Sequence, residues 1–353
     1  MSATPSSRLL ERLGLAGIVD EAQLAALRGA ARTPWWLAVL LGFAAWVAAL
    51  MIMSSFFAPL LAFGNEPATR AFAGILLAAA SVFLLRRRKP FTDQMGLAFS
   101  LAGQALVVSA FADRFFDVVE GSDVLALTAL AASLAMAAAP ASNLHRSACA
   151  LIALSSLAWL IGPGTGLALF GVAAAGGAAA LWLARPAWAG HPQATLIKAA
   201  AHALTLTALT IAPYGHAHSM LTVLEEAITG YRTGFVLPVY GIGAALVLLS
   251  TTAWLCRDSA TLRLPALAGA LLLALAAHPA PGLLVAVALL LAAFHASHRP
   301  WTVMTLVFAA LYLGELYYGL QDTLLVKSLA LIASGAVLLA LRALLRARTG
   351  RTA

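Results

Sequence analysis

The chain is predicted to fold as an all-α, polytopic transmembrane helix bundle of about twelve spans, and three observations carry that expectation. Its 353 residues are 62% hydrophobic and only 10% charged, with a mean hydropathy of +0.91. Globular domains carry about 25% charged residues, so this chain folded in water would leave large apolar areas exposed. Apolar runs close to the roughly 20 residues that a helix needs to cross a bilayer recur along the sequence. Basic residues gather between alternate runs, which is the positive-inside pattern.

The topology is read from Arg86, Arg87, Arg88 and Lys89, four adjacent cations between the second and third runs. Each would cost roughly 2.5–3.5 kcal/mol at the bilayer centre on insertion scales. That loop is therefore expected to be cytoplasmic, which places both termini on the same side. With this orientation, every Lys and Arg except Arg70, Arg114, Arg232 and Lys327 falls inside. Most of the acids fall outside: Glu66, Asp113, Asp117, Glu120, Asp123, Glu225, Glu226, Glu315 and Asp322. A miscounted span would invert this alternation partway along the chain, and it does not invert. The expected location is the bacterial inner membrane, with the lipid bilayer as principal partner. The sequence pI near 10.1 does not point to nucleic acid, because the cations lie between apolar runs instead of along a solvated stripe.

Residues 1–33 precede the membrane domain. Leu9, Leu10, Leu13, Leu24 and Leu27 recur at helical spacing, with Arg8, Arg12, Arg28 and Arg32 among them. This reads as a cytoplasmic amphipathic helical segment, lying on the inner leaflet or docking a partner. No cleavable signal peptide is expected, because the first long apolar run starts only at Pro34. The membrane domain covers 34–345, and 346–353 form a basic cytoplasmic tail. Spans are placed at 35–59, 68–85, 94–112, 122–140, 144–161, 164–183, 194–213, 234–255, 262–277, 281–296, 301–319 and 324–342. Pro34, Pro163, Pro281 and Pro300 precede spans, where a missing N–H costs nothing. Trp35, Trp36, Trp182, Trp188, Trp254 and Trp301 sit at span ends and read as interfacial aromatics. The ninth and tenth spans are short and meet at His278-Pro279-Ala280-Pro281. They cross as a tight hairpin or dip and return as a re-entrant pair, which would leave ten full spans. Charge does not choose between these.

Polar residues within apolar spans are the candidates for function. Ser100 and Gln104 share a face of the third span, as expected of an interhelical hydrogen bond. Lys198, His202 and Thr205 form one stripe on the seventh, read as packing or as a polar path. Glu315, with Tyr312 one turn before it, is the sharpest intramembrane acid; it binds a cation or proton, or it is solvated at the outer interface. Lys327, a cation against the outward charge trend, is expected to pair with Asp322 or Glu315. His216 and His218 are weak metal candidates, since their spacing lacks the helical HExxH pattern. Cys149 and Cys256 read as small packing residues and are too few for a disulfide framework. Phosphate-loop, dinucleotide, nucleophile-elbow and Cys-x-x-Cys motifs are missing. Neither an enzyme nor a cofactor is expected.

Tyr317-Tyr318-Gly319-Leu320-Gln321-Asp322-Thr323-Leu324-Leu325-Val326-Lys327-Ser328 resembles the Y-Y-x-L-x-x-T-L-L-x-K-S run of a bacterial membrane family, domain of unknown function 4401. Pro34-Trp35-Trp36-Leu37, Leu41-Gly42-Phe43, Trp46 and Gly103-Gln104-Ala105-Leu106 are similar to it as well. The resemblance implies an inner-membrane protein without an established activity. It also implies a neighbouring multi-pass membrane protein and a small GDYxxLxY-motif protein as partners. Two functional readings follow: a subunit or scaffold of a multi-protein envelope complex, or a transporter or channel for a small solute.

Overall fold

The computed structural model describes residues 20, 35–63, 66–87, 89–115, 121–139, 142–215, 237–319 and 332. The expected amphipathic segment, apart from Asp20, lies outside these, as do Arg88, His216, His218, Asp322, Lys327 and the twelfth span apart from residue 332. Among the described residues the fold is helical throughout, with no strand. Eleven long helices fall on the first eleven predicted spans. They are α1 (Trp35–Phe63), α2 (Pro67–Arg86), α3 (Pro90–Phe115), α4 (Gly121–Ala138), α5 (Asn143–Ile161) and α6 (Thr165–Leu183), then α7 (Ala194–Ile211), α8 (Leu237–Leu255), α9 (Ala260–Ala276), α10 (Pro281–His295) and α11 (Arg299–Gly319). A four-residue helix, Arg185–Trp188, links α6 to α7. By length and composition, α2, α3, α5, α6, α7, α8 and α11 are each long and apolar enough to cross a membrane. The chain is a membrane protein.

Local chemistry sets the helix ends. Pro67, Pro90 and Pro281 open α2, α3 and α10, where no intrahelical N–H is lost. The Ser142 hydroxyl accepts from the His145 amide and caps α5. Gly162 (φ 71°) and Gly164 (φ 113°) then turn the chain into α6 through left-handed backbone that a side chain would strain.

The packing inverts the soluble pattern. On α2, Ala73, Gly74, Leu77 and Ser81 face inward, while Phe72, Ile75, Leu76 and Phe83 face out. Helices in lipid gain nothing from hiding bulk, so small residues go to the contact and let backbones approach. One such backbone contact is between Gly74 and Gly103. A Cβ on either would lie 2.7 Å from the other's carbonyl oxygen.

Two bundles result. In the first, α3 packs against α1, α2 and α4, and α4 packs against α5. In the second, α10 is the centre, packed on α6, α8 and α11 and buried on both sides. α7 packs on α6 and equally on α5, while α5 and α6, though consecutive, scarcely meet. The α5–α7 seam is thus the main join between the bundles. α9 leans on α8, buries only Ala270 and Ala274, and turns Leu264, Leu272 and Leu275 outward. Although four residues link them, α9 and α10 barely touch. α10 is drawn into the core, where lipid-facing α9 does not follow.

The glycine contact between α2 and α3 yields a direct check. Gly103→Val should cost about 1–3 kcal/mol through overpacking and lower the melting temperature in detergent. Gly269→Ala on α9, where a Cβ meets nothing within 4 Å, should leave it unchanged. Equal effects would contradict the packing.

Candidate functional site

Two polar clusters lie along the α5–α7 seam and its neighbours. The first joins α3 to α5. Ser100 and Gln104 are one turn apart on α3, and His145 and Cys149 are one turn apart on the facing side of α5. The Gln104 amide donates to Ser100 Oγ (3.0 Å) and reaches Cys149 Sγ (3.8 Å). This leaves the Ser100 hydroxyl free to bond His145 Nε2 at 2.8 Å. The expected interhelical bond is therefore present, but its partner is a histidine that the sequence reading passed over. Ser100, His145 and Cys149 have no exposed surface. A serine against an imidazole is the start of a nucleophile–base pair, yet no substrate reaches a pair sealed on all sides. The cluster acts as a polar lock between helices.

The second cluster is at the basic end of the bundle, where Arg86, Arg146, Arg185, Lys198, Arg257 and Arg299 lie. Four rings from four segments meet there. Trp182 of α6 stacks on His202 of α7 at 5.6 Å. His298, in the loop before α11, lies 4.9 Å from Trp182 and 5.5 Å from His202. Trp301 of α11 closes the group, 5.5 Å from His202. The Trp182 indole donates to Thr205 Oγ1 (2.8 Å), and the Thr205 hydroxyl donates to the Ala201 carbonyl (2.6 Å). Trp182 is fully buried, which corrects its reading as an interfacial aromatic: its N–H is satisfied inside the bundle, so nothing draws it to the headgroups. His202 Nδ1 lies 3.3 Å from Ser147 Oγ of α5, while its Nε2 is buried with no hydrogen-bond partner among the described residues. Of the Lys198–His202–Thr205 stripe, His202 meets α5 through Ser147 and Thr205 meets α6 through Trp182.

The loop that supplies His298 is held from two sides. Ser297 adopts a left-handed conformation (φ 53°) as α10 ends, and the His298 amide bonds back to the Ala293 carbonyl. Arg185 donates to the Ala296 carbonyl, tying the end of α6 to the end of α10. Burial and the nearby Lys198 and Arg185 charges hold the His298 imidazole below the ordinary histidine range, against a smaller opposing effect of its own backbone hydrogen bond.

Cavities open along the seam at both ends. Toward the basic end, one of about 400 Å³ is lined by Leu144, Ala148 and Leu151 of α5, Ala203 and Leu206 of α7, and Trp301. Toward the opposite end, one of about 630 Å³ is lined by Ser155 and Trp159 of α5, Thr207 and Thr210 of α7, Asp123 and Tyr214. Thr207 is buried with a hydroxyl that has no partner among the described residues. Leu151 and Ser155 are one turn apart on the same face of α5, and Leu206 and Thr210 are one turn apart on α7. The linings are therefore about 6 Å apart along α5, while on α7 Leu206 and Thr207, which line one cavity each, are consecutive.

The remaining candidates are placed as follows. Tyr312 is buried and donates to the Leu209 carbonyl of α7, tying α11 to α7. Glu315 is half-buried one turn beyond it. Neither joins the ring cluster. At that same end Arg70 of α2 pairs with Asp113 of α3, which balances one of the few cations outside the basic end. No group of three or more metal-ligating side chains occurs among the described residues. The sequence signals that would have found His145 and His298 are faint: a histidine four before a cysteine, and a histidine two before a helix-opening proline.

Ser100→Ala removes the partner of His145 Nε2 and the acceptor of the Gln104 amide and should cost about 1–3 kcal/mol, read as a lower melting temperature. Ser109→Ala, whose hydroxyl only bonds back to Leu106 of its own helix, should stay within about 0.5 kcal/mol. The His298 imidazole should be neutral at pH 7 and protonate only below the usual value of about 6.5; Lys198→Met should raise its pKa, followed by NMR of labelled histidine. Because the folded chain binds this proton less well than the unfolded chain, acidification through that range lowers stability.

The family model described as Domain of unknown function (DUF4401) matches residues 34–348. No curated protein and no solved structure matches the chain. The matched range takes in both polar clusters and the whole α5–α7 seam, and on that match the chain belongs to the DUF4401 family.

Proposed function

We propose that this chain is a multi-pass protein of the bacterial inner membrane, both termini cytoplasmic, that passes a small solute along the α5–α7 seam as a transporter or channel and carries out no chemistry. The observation that carries this reading is the thin septum between the two seam cavities. Leu151 and Leu206 line one cavity, and Ser155 and Thr210, one turn on, line the other. Positive-inside orientation puts the first on the cytoplasmic side. Rocking one helical bundle against another around a fixed seam is a common route to alternating access, and here the two bundles meet mainly at this seam. His202 and Thr207 line the two cavities, and the His202 Nε2 and Thr207 hydroxyl just behind those walls are buried without a partner among the described residues. The polar lock of Ser100, Gln104 and His145 keeps α3 and α5 moving as one piece.

A second reading, a subunit or scaffold of an envelope complex, is favoured by α9. That helix buries two alanines and lines an apolar groove of about 590 Å³ with α8, bounded by Leu246, Leu249, Leu264, Leu267 and Leu271. A partner's helix would fit there, and the multi-pass neighbour implied for this family is the natural source.

Cysteine accessibility separates the two. Ala148→Cys, Ala203→Cys, Ser155→Cys and Thr210→Cys, each in a background lacking Cys149 and Cys256, are exposed to a membrane-impermeant maleimide in right-side-out and inside-out vesicles. Passage predicts labelling of each position from both sides as the septum opens. Labelling of each from one side only would sink that reading. A stoichiometric membrane partner retained through mild-detergent purification of the native-level protein would then support the subunit reading.

A further inference from the structure

Beside the ring cluster, at the basic end, lies a separate cavity of about 200 Å³. Its lining includes Arg185, Lys198, His298, Asn143, Thr195 and Trp188. Two full positive charges and an imidazole face it, and none of its lining residues is a carboxylate. Arg146 adds a third cation at the rim, its guanidinium donating to Thr195 Oγ1 at 2.6 Å. The ion pairs Arg70–Asp113 and Arg257–Asp258 lie elsewhere. Burial first, and then the Lys198 and Arg185 charges, lower the affinity of His298 for a proton. Like charges gathered in a partly buried hollow are unfavourable unless an anion joins them. The walls are fixed: Trp188 donates to the Leu181 carbonyl at 2.7 Å, and Arg185 is tied to the Ala296 carbonyl.

The cavity is continuous in lining with the apolar seam groove, because Asn143 borders both. From Asn143 to Leu151 the groove follows about 12 Å of α5. Leu144, at its mouth, is half exposed, so the groove opens sideways toward the hydrocarbon. A cationic hollow at the headgroup level feeding an apolar groove at acyl depth matches a phospholipid, and basic pockets between membrane helices on the cytoplasmic side hold anionic headgroups.

We propose that this cavity binds the phosphate of an anionic phospholipid, with Arg185, Lys198, Thr195 and His298 around the headgroup and one acyl chain in the α5–α7 groove. The site does not depend on the passage reading: a lipid that stays in place would brace the seam in a scaffold, and it would have to leave the groove for a solute to pass. A free phosphate compound would use the same cations and leave the groove empty.

The test uses purified full-length protein in a neutral detergent, with thermal stability followed as ligand is added. Three probes are compared: dioleoyl phosphatidic acid, inorganic phosphate, and dioleoyl phosphatidylcholine as a zwitterionic control. The variants are Lys198→Gln, Lys198→Glu and Ala148→Trp, the last filling the groove away from the cations. The expected result is saturable stabilisation by phosphatidic acid at concentrations where the other two do nothing. Apparent affinity should fall at least tenfold in both Lys198 variants and in Ala148→Trp. Stabilisation by inorganic phosphate that Lys198→Glu removes and Ala148→Trp leaves intact would overturn the lipid and leave a free phosphate site. Equal stabilisation by phosphatidylcholine, or an apparent affinity for phosphatidic acid that both Lys198 variants leave unchanged, would overturn the cationic site altogether.

Discussion

α7 is held on two sides at once, and the rest of the molecule depends on how that is possible. A helix wedged between α5 and α6 needs small residues on both of its faces, because bulk on either would push a neighbour away. Ala199, Ala201, Ala203 and Ala208 supply them. The polar atoms of α7 are then spent on direction: Thr205 receives Trp182 from α6, the Leu209 carbonyl receives Tyr312 from α11, and His202 meets Ser147 of α5. One helix thereby fixes the angle between the two bundles. In an apolar solvent, where hydrophobic sorting is weak, close packing and a few hydrogen bonds decide such an angle.

Most of this architecture can be read from the sequence. Eleven helices stand where length and hydropathy place them, because a bilayer imposes a nearly fixed span length and forbids unsatisfied backbone. The segregation of charge was equally legible, and Arg70, one of the four cations that break it, is matched with Asp113. Pairing between distant helices was not. Nothing in the run around His145 announces Ser100, since the two are brought together by the α3–α4–α5 path and not by spacing. The same holds for His298, which gains its neighbours from Trp182 and His202 on helices far back in the chain. Tryptophan at a span end reads as interfacial by default, and only the fold distinguishes the buried Trp182 from the exposed Trp36.

The two polar clusters divide their labour by accessibility. The Ser100 lock is sealed between two helices, its bonds running from Gln104 to Ser100 and from Ser100 to His145, and its contribution is to rigidity. The ring cluster borders two cavities, so a polar group can approach it, and among the described residues the His202 Nε2 just behind that wall has no partner. Burial thus separates structural from receptive polar groups more sharply than residue type does, as two histidines in the same chain demonstrate.

α10 has a further consequence. Its 15 residues reach only about 22 Å, well short of the roughly 30 Å of hydrocarbon, yet it is sheathed by α6, α8 and α11. Mismatch between a helix and its membrane acts only where lipid touches protein. The short centre is therefore insulated, and adaptation to a thicker or thinner bilayer falls to the longer helices around it. Such a molecule keeps an invariant kernel while its rim tilts, so changes in lipid chain length would reach the α5–α7 seam through the periphery alone.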